Sequence, residues 1–423
     1  MTVASFELQD VSTKRRSTEA SVHSVARSGH SFSKSKADVT RSADQTDGEA
    51  SRPNVATTST ITPRTRKQKI IAHVQFSTLC WTMFLIGWND GTIGPLLPRI
   101  REVYRVGAAL VSLTFVFACV GFVSGALLNM YLIGKMSFGQ DAQANSFVAT
   151  LRHSETKMGI LHAVYGIDAF ASPLVATQFA QLPRWSFHFL TSLGIAISNT
   201  ATLLLVFKLK GQDDCLRDAG EVILEKGSEG EMTAFKQIMT TKAVHLLAFF
   251  ILIYVGVEVT IGGWIVTFII EVREGGPSSG YIASGFFGGL ALGRVILLWV
   301  NKKIGERRVL FLYAVLSIVL EITVWFVPSL IQNAVAVSVV GVLLGPMYPI
   351  AINQTSRTLP RRILTGSIGW IAGFGQAGSA LLPFITGAIA SSRGLKSLQP
   401  LLVSMMAFLM VLWALVPNDR RLG

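Results

Sequence analysis

Ten stretches of mostly apolar residues recur along this chain, at about 71–97, 107–133, 158–180, 186–207, 243–270, 280–300, 308–327, 331–352, 363–390 and 398–416. Each is roughly 20 residues or longer, the length a helix needs to cross the hydrocarbon core of a bilayer. Within that core every backbone N–H and C=O must be satisfied inside the protein, which leaves only helices and closed barrels. The runs are about twice as long as barrel strands. They predict an all-α membrane protein with about ten spanning helices. The composition agrees, with 50% hydrophobic and 15% charged residues, against about 25% charged in soluble domains.

The formal net charge is +13. Basic residues gather at the ends of the apolar runs rather than on one domain, so the excess is a topology signal and not a nucleic-acid surface. If residues 1–69 lie in the cytoplasm, the loops on that side carry 22 Lys and Arg, and the loops on the other side carry 7. Both termini are therefore expected inside, and nothing directs the chain away from the plasma membrane. Arg99, Arg101 and Arg105 run against the pattern on the outer side. Residues 1–69 are rich in Ser, Thr and charge and too poor in apolar groups to fold, so they read as a disordered cytoplasmic tail. Residues 1–30 have no apolar core of signal-peptide length. The expected domains are a helical lobe at 70–207, a cytoplasmic loop at 208–242, a second lobe at 243–418 and a short tail at 419–423.

One motif returns. DGTIG at 90–94 matches EVTIG at 258–262, with Asp90 over Glu258 and Thr92-Ile93-Gly94 over Thr260-Ile261-Gly262. Carboxylates at membrane depth are costly and are usually kept for an ion or substrate path. Two of them at matching places in two halves point to a duplicated transporter. GFVSG at 121–125 matches GFFGG at 285–289 at an offset of 164, whereas Gly159 and Pro173 match Gly369 and Pro383 at an offset of 210. The offset grows by 46 residues between the two sets, about two spanning helices and a turn. Four runs against six follow if the first lobe lacks its third helix and most of its fourth. The join lies near KMSFGQDAQANSF, and 141–151 align with 352–359 as the stub of a lost helix, or form a natural loop with a short amphipathic helix. The glycines Gly121, Gly125, Gly285, Gly289, Gly369 and Gly373, at four-residue spacing, suggest close helix packing.

Two lobes around a central cytoplasmic loop resemble the major facilitator superfamily. GWNDGTIGPLLP (87–98), HAVYGIDAFASPLVATQFAQLPRWSFHF (162–189) and GPMYPIAINQ (345–354) resemble a fungal branch related to the fucose–proton symporters and their sugar-transporter neighbours. The resemblance covers about 70–418. It implies a two-lobe bundle with the substrate near the midplane, and a first helix that lines the cavity and carries a coupling acid. NKKIGERR (301–308), with Lys302, Lys303, Arg307 and Arg308, resembles the superfamily's cytoplasmic gating loop, whose first-half counterpart is cut to GKMSFGQ.

Asp90 and Glu258 are the candidate proton carriers, because a desolvated carboxylate loads and unloads a proton nearer neutral pH. The bland alternatives are an Asp90 solvated or paired with Arg99 or Arg101, and a hydrogen-bonded structural Glu258. Asn89, Trp88, Tyr348, Asn353, Gln354 and Gln376 are candidates for binding a hydroxylated solute; helix–helix hydrogen bonding and interfacial anchoring are the alternatives. Asp168 is a third intramembrane acid, His162 reads as structural, and Arg294 reads as snorkelling to the cytoplasm. The three cysteines have no metal or disulfide spacing, and no Walker lysine motif or nucleophile–base pair is visible. The expectation is a proton-coupled carrier of a small solute in a lipid membrane, with no enzyme activity, metal, cofactor or nucleic acid. The alternative is a non-transporting relative or the product of an incomplete gene model.

Overall fold

The computed structural model describes residues 64–133, 147–148, 151, 154–208, 210–221 and 231–417. The expected tail up to residue 63, the join from 137 to 146 and the end from 418 lie outside the described residues. The described chain is helical: α1 (Arg66–Tyr104), α2 (Ala108–Val111), α3 (Leu113–Ile133), α4 (Ser154–Ala180), α5 (His188–Phe207), α6 (Gln212–Asp218) and α7 (Glu231–Thr240) precede α8 (Lys242–Arg273). Then come α9 (Tyr281–Ile296), α10 (Leu298–Ile304), α11 (Glu306–Phe326), α12 (Leu330–Leu344), α13 (Met347–Thr358), α14 (Arg361–Arg393) and α15 (Leu398–Leu415).

Eight of the described helices are long and apolar enough to cross a membrane. α9 and α10, bent by 52° at Leu297, together make a ninth candidate, and the apolar run at 107–133 forms α2 and α3. Each of the ten apolar runs thus becomes helix. Thr65 starts α1 with a reciprocal cap, its side chain accepting from the Gln68 backbone while the Gln68 side chain accepts from Thr65. The first run reads as closing at Pro95 and Pro98, but α1 continues through both to Tyr104. Tightly packed neighbours let a spanning helix tolerate a missing N–H, and Leu96 and Leu97 are fully buried between the two prolines. The left-handed Arg105 ends the helix by donating its N–H to the Arg101 carbonyl.

The helix contacts repeat with the sequence. α1 packs on α4 and α5, and its mate α8 packs on α14 and α15. Between the halves, α3 packs on α14 as α9 packs on α4, and α1 packs on α8. The two halves are therefore related by an approximate two-fold axis through the α1–α8 contact. The contacts of α12 with α9 and of α11 with α15 have no equivalent in the first half among the described residues. Burial follows this asymmetry: 44% of the spanning window of α15 is buried, against 6% of that of its mate α5.

Glycine is what lets α9 and α12 touch. A Cβ at Gly289 would meet the Ser338 carbonyl and one at Gly293 the Val342 carbonyl; Gly341 and Gly345 sit equally close to Phe286 and Leu290. The expected close packing does not extend to Gly121, Gly369 and Gly373, which face open space. Gly121 occupies on α3 the place that Gly285 holds on α9, against Ser338 of α12. On α3 no helix stands there among the described residues.

Candidate functional site

The repeated TIG motif is where the two halves cross. A Cβ at Gly94 would run into the carbonyl of Gly262, its own repeat mate. Asp90 and Glu258 precede these glycines by four residues, one helical turn, and so share the crossing face of their helices. Duplication thus brings one carboxylate from each half to the axis between them.

Two residues from other helices complete the cluster. Tyr165 of α4 donates its hydroxyl to Asp90 Oδ2 at 2.8 Å. The guanidinium of Arg294 on α9 lies 5.9 Å from the centre of the Tyr165 ring, and its Nη2 is 3.9 Å from Glu258 Oε1. That distance is a charge contact rather than a hydrogen bond. Glu258 is buried and the Arg294 side chain is 21% exposed, so neither charge is well hydrated. Arg294 Nε also donates to the Gly345 carbonyl at 3.4 Å, and the Tyr254 hydroxyl donates to the Leu344 carbonyl at 3.1 Å. These carbonyls sit at the break between α12 and α13, and the residue four beyond Gly345 is Pro349, which has no N–H to offer it. Arg294 therefore does not snorkel away from the apolar zone. The charge of Glu258 and the carbonyl of Gly345 hold it inside.

The other candidates are distributed around this cluster. Asn89 is exposed beside Asp90, and Tyr348 packs 6.2 Å from the Tyr254 ring. Gln376 is half-buried on α14, and its carbonyl accepts from the Cys119 thiol. Trp88 is buried inside the first half, where its indole N–H donates to Ser192 at 3.0 Å and its ring stacks on His188. Asn353 and Gln354 serve the far end of α13, about 12 Å along the helix from the break. Asn353 donates to Glu306 Oε1 at 3.1 Å and Gln354 to the Pro417 carbonyl at 2.9 Å. These three are thus engaged within the scaffold.

In the loop between α10 and α11, Gly305 takes φ 93°. Lys302 and Arg308 are exposed, Lys303 lies 4.8 Å over the Trp299 ring, and Arg307 donates to the Val416 carbonyl at 2.8 Å. Asp168 is fully buried on α4, facing α1 where Gly87 leaves room for it. Among the described residues no three His, Cys, Asp or Glu side chains are grouped to hold a metal ion.

Sequence reasoning missed Tyr165 and Tyr254 and misjudged Arg294. The usable signal was Arg294 itself, a cation in an apolar run, which calls for a partner. Tyr165 carried no such signal, since aromatic residues are common in spanning helices.

No protein-family model matches the chain. The chain is 24% identical over 407 residues to Bypass of stop codon protein 6 of Saccharomyces cerevisiae, with 80% of this chain and 82% of that protein covered. It is 20% identical over 354 residues to the glucose/mannose transporter GlcP of Bacillus subtilis, with 72% and 85% covered. Among solved structures, a D-xylose–proton symporter matches with a TM-score of 0.62 at 10% identity, covering 83% of this chain and 98% of that one. A Major Facilitator Superfamily transporter, FucP, in the outward conformation matches with a TM-score of 0.50 at 14% identity, covering 82% and 99%. At these identities the likeness to solved structures is one of fold: the chain has the two-lobe major facilitator fold of a multi-pass membrane protein.

Proposed function

We propose that this chain, built on the major facilitator fold, is a secondary transporter that couples movement of a small hydroxylated solute to protons. One observation carries the proposal: repeat-mate carboxylates, one from each lobe, stand on the crossing helices and are linked through Tyr165 and Arg294. Asp90 and Glu258 take up and release the proton. Arg294 is the counter-charge that each state of Glu258 holds or frees. Asn89, Tyr348 and Gln376 contact the solute. Lys302, Lys303, Arg307 and Arg308 form a loop that steadies the second lobe at the basic end. The basic end and both termini face the cytoplasm, most simply at the plasma membrane. The sugar specificity of GlcP and of the xylose symporter supports a sugar-like solute.

The test is purified protein in liposomes with a trapped pH dye, challenged in turn with glucose, mannose and xylose. A solute-dependent proton flux that Asp90→Asn and Glu258→Gln each abolish, at unchanged protein content, supports the proposal. No flux from any tested sugar, with or without an imposed pH gradient, counts against it.

A second reading has its own observation. Gly121 faces open space where its mate Gly285 meets α12. The match to the yeast protein runs over 407 residues yet takes in only 80% of 423, so that relative carries positions this chain lacks. On this reading the first lobe has lost two spans and the 423-residue form inserts without transporting. Sequencing the transcript across the codons for Ser137 to Asn145 decides it. A message with about 46 further, mostly apolar codons, two spans' worth, makes the shorter chain an incomplete form. A message identical to this sequence makes the ten-span chain real.

A further inference from the structure

Arg101 and Glu271 belong to neither the proton site nor the solute contacts, yet they join the two lobes. Arg101 is in the last turn of α1 and Glu271 near the end of α8, and the Arg101 guanidinium donates to Glu271 Oε1. They lie about two helical turns beyond the Gly94–Gly262 crossing. Arg101 is fixed from behind as well, because its carbonyl accepts from both Arg105 and Val106. Arg99 pairs instead with Glu102 at 2.6 Å. The outer arginines that break the charge rule are thus, for Arg99 and Arg101, neutralised by carboxylates.

Other lobe-to-lobe contacts fall at the same end. Gln178 of α4 donates to the Tyr281 hydroxyl of α9, and Thr177 packs on Gly280. Ser112 sits against Gly387 of α14, and Phe115 against Gly263. At the basic end the mates Gly159 and Gly369 face open space. The lobe-to-lobe contacts named here gather at the Arg101 end.

We propose that the Arg101–Glu271 ion pair is the latch of the outer gate. It closes over the Gly94–Gly262 contact and must break before Asp90 is reached from that side. Glycine at position 94 lets α1 lie against the backbone of Gly262, so the contact is close but carries few side-chain atoms to hold it. The ion pair adds a directional tie that a small rotation of the lobes removes. Side-chain exposures of 21% and 43% make the tie modest, suited to a gate that has to open. The proposal shares with the transporter reading the idea that the lobes move, but it concerns access and not solute.

The test therefore needs no solute. In protein with Cys80, Cys119 and Cys215 replaced by Ser, Asn89→Cys reports access to the crossing through its reaction with a membrane-impermeant methanethiosulfonate. The reagent is applied to each side separately, in intact cells and in inverted vesicles. From the Arg101 side the reaction is expected to be slow. Arg101→Glu should speed it about two- to five-fold, the range open to a partly exposed pair. Glu271→Gln, which risks less for folding, should speed it less, and Arg101→Glu with Glu271→Arg should restore the slow rate. Unchanged rates in both single variants, or a double variant no slower than the single one at equal surface amount, would overturn the latch. Loss of proton flux with these rates as expected would refute the transporter reading and leave the latch standing.

Discussion

Gly121 and Gly289 offer a matched pair in which the same substitution meets opposite surroundings. At Gly289 an added methyl meets the Ser338 carbonyl, with Val342 N at 3.0 Å and Gly341 C at 3.3 Å. All three are backbone atoms of α12, so no side chain can swing aside and the helices must part. Forcing a methylene-sized group into a packed contact costs about 1–3 kcal/mol, while alanine returns up to about 1 kcal/mol in helix propensity. With backbone as the obstacle the cost lies at the upper end of that range, so the net loss for Gly289→Ala is about 2 kcal/mol. At Gly121 the methyl meets nothing within 4 Å, so only the propensity gain remains. Gly121→Ala should therefore be neutral or stabilising by up to about 1 kcal/mol. Gly285→Ala should fall between, because the obstructing atom is the Ser338 hydroxyl oxygen, which can rotate away. Thermal unfolding of the detergent-purified variants, followed by the fraction surviving size exclusion, gives the ranking directly. The reasoning is refuted if Gly121→Ala loses as much stability as Gly289→Ala, because a helix must then cover Gly121 in the folded protein. It is also refuted if Gly289→Ala is neutral.

Removing one member of the central ion pair should be worse than removing both. Arg294→Gln strands the buried Glu258 and should lower the yield of folded protein, and adding Glu258→Gln should recover much of it, as measured by fluorescence-detected size exclusion. Outside the membrane segments, Cys215 is buried beneath α1 in the loop, and burial, aided by Asp218, pushes its thiol up to about 11 from an ordinary 9.0. At pH 8 the thiolate, the reactive form, should be about a hundredfold scarcer than for an ordinary cysteine. With Cys80 and Cys119 replaced by Ser, N-ethylmaleimide should label the folded protein slowly and speed up as pH rises toward 11; rapid labelling at pH 7 would contradict the burial.

The pattern of hydropathy is local, and so were the inferences that held best. Run length marked where helices lie, because backbone satisfaction in lipid depends on residues within one helix. The DGTIG and EVTIG match fixed the duplication and named Asp90 and Glu258 before any contact was known. Charge counting gave a sidedness that still awaits its test. Local signals failed at Pro95 and Pro98, where breakers in water are tolerated inside a packed bundle.

Partner choice belonged to tertiary structure. Tyr165 is 75 residues from the Asp90 that it serves, and Arg294 is 51 residues from the carbonyl that it caps. No window of sequence relates such residues. Trp88, Asn353 and Gln354 looked like solute ligands by residue type, and packing gave each of them a partner in the scaffold. The glycines of the repeated motif were legible, but not their purpose. Only the folding of two similar halves about a common axis sets Gly94 on Gly262, because a duplicated surface placed on that axis must meet its own copy.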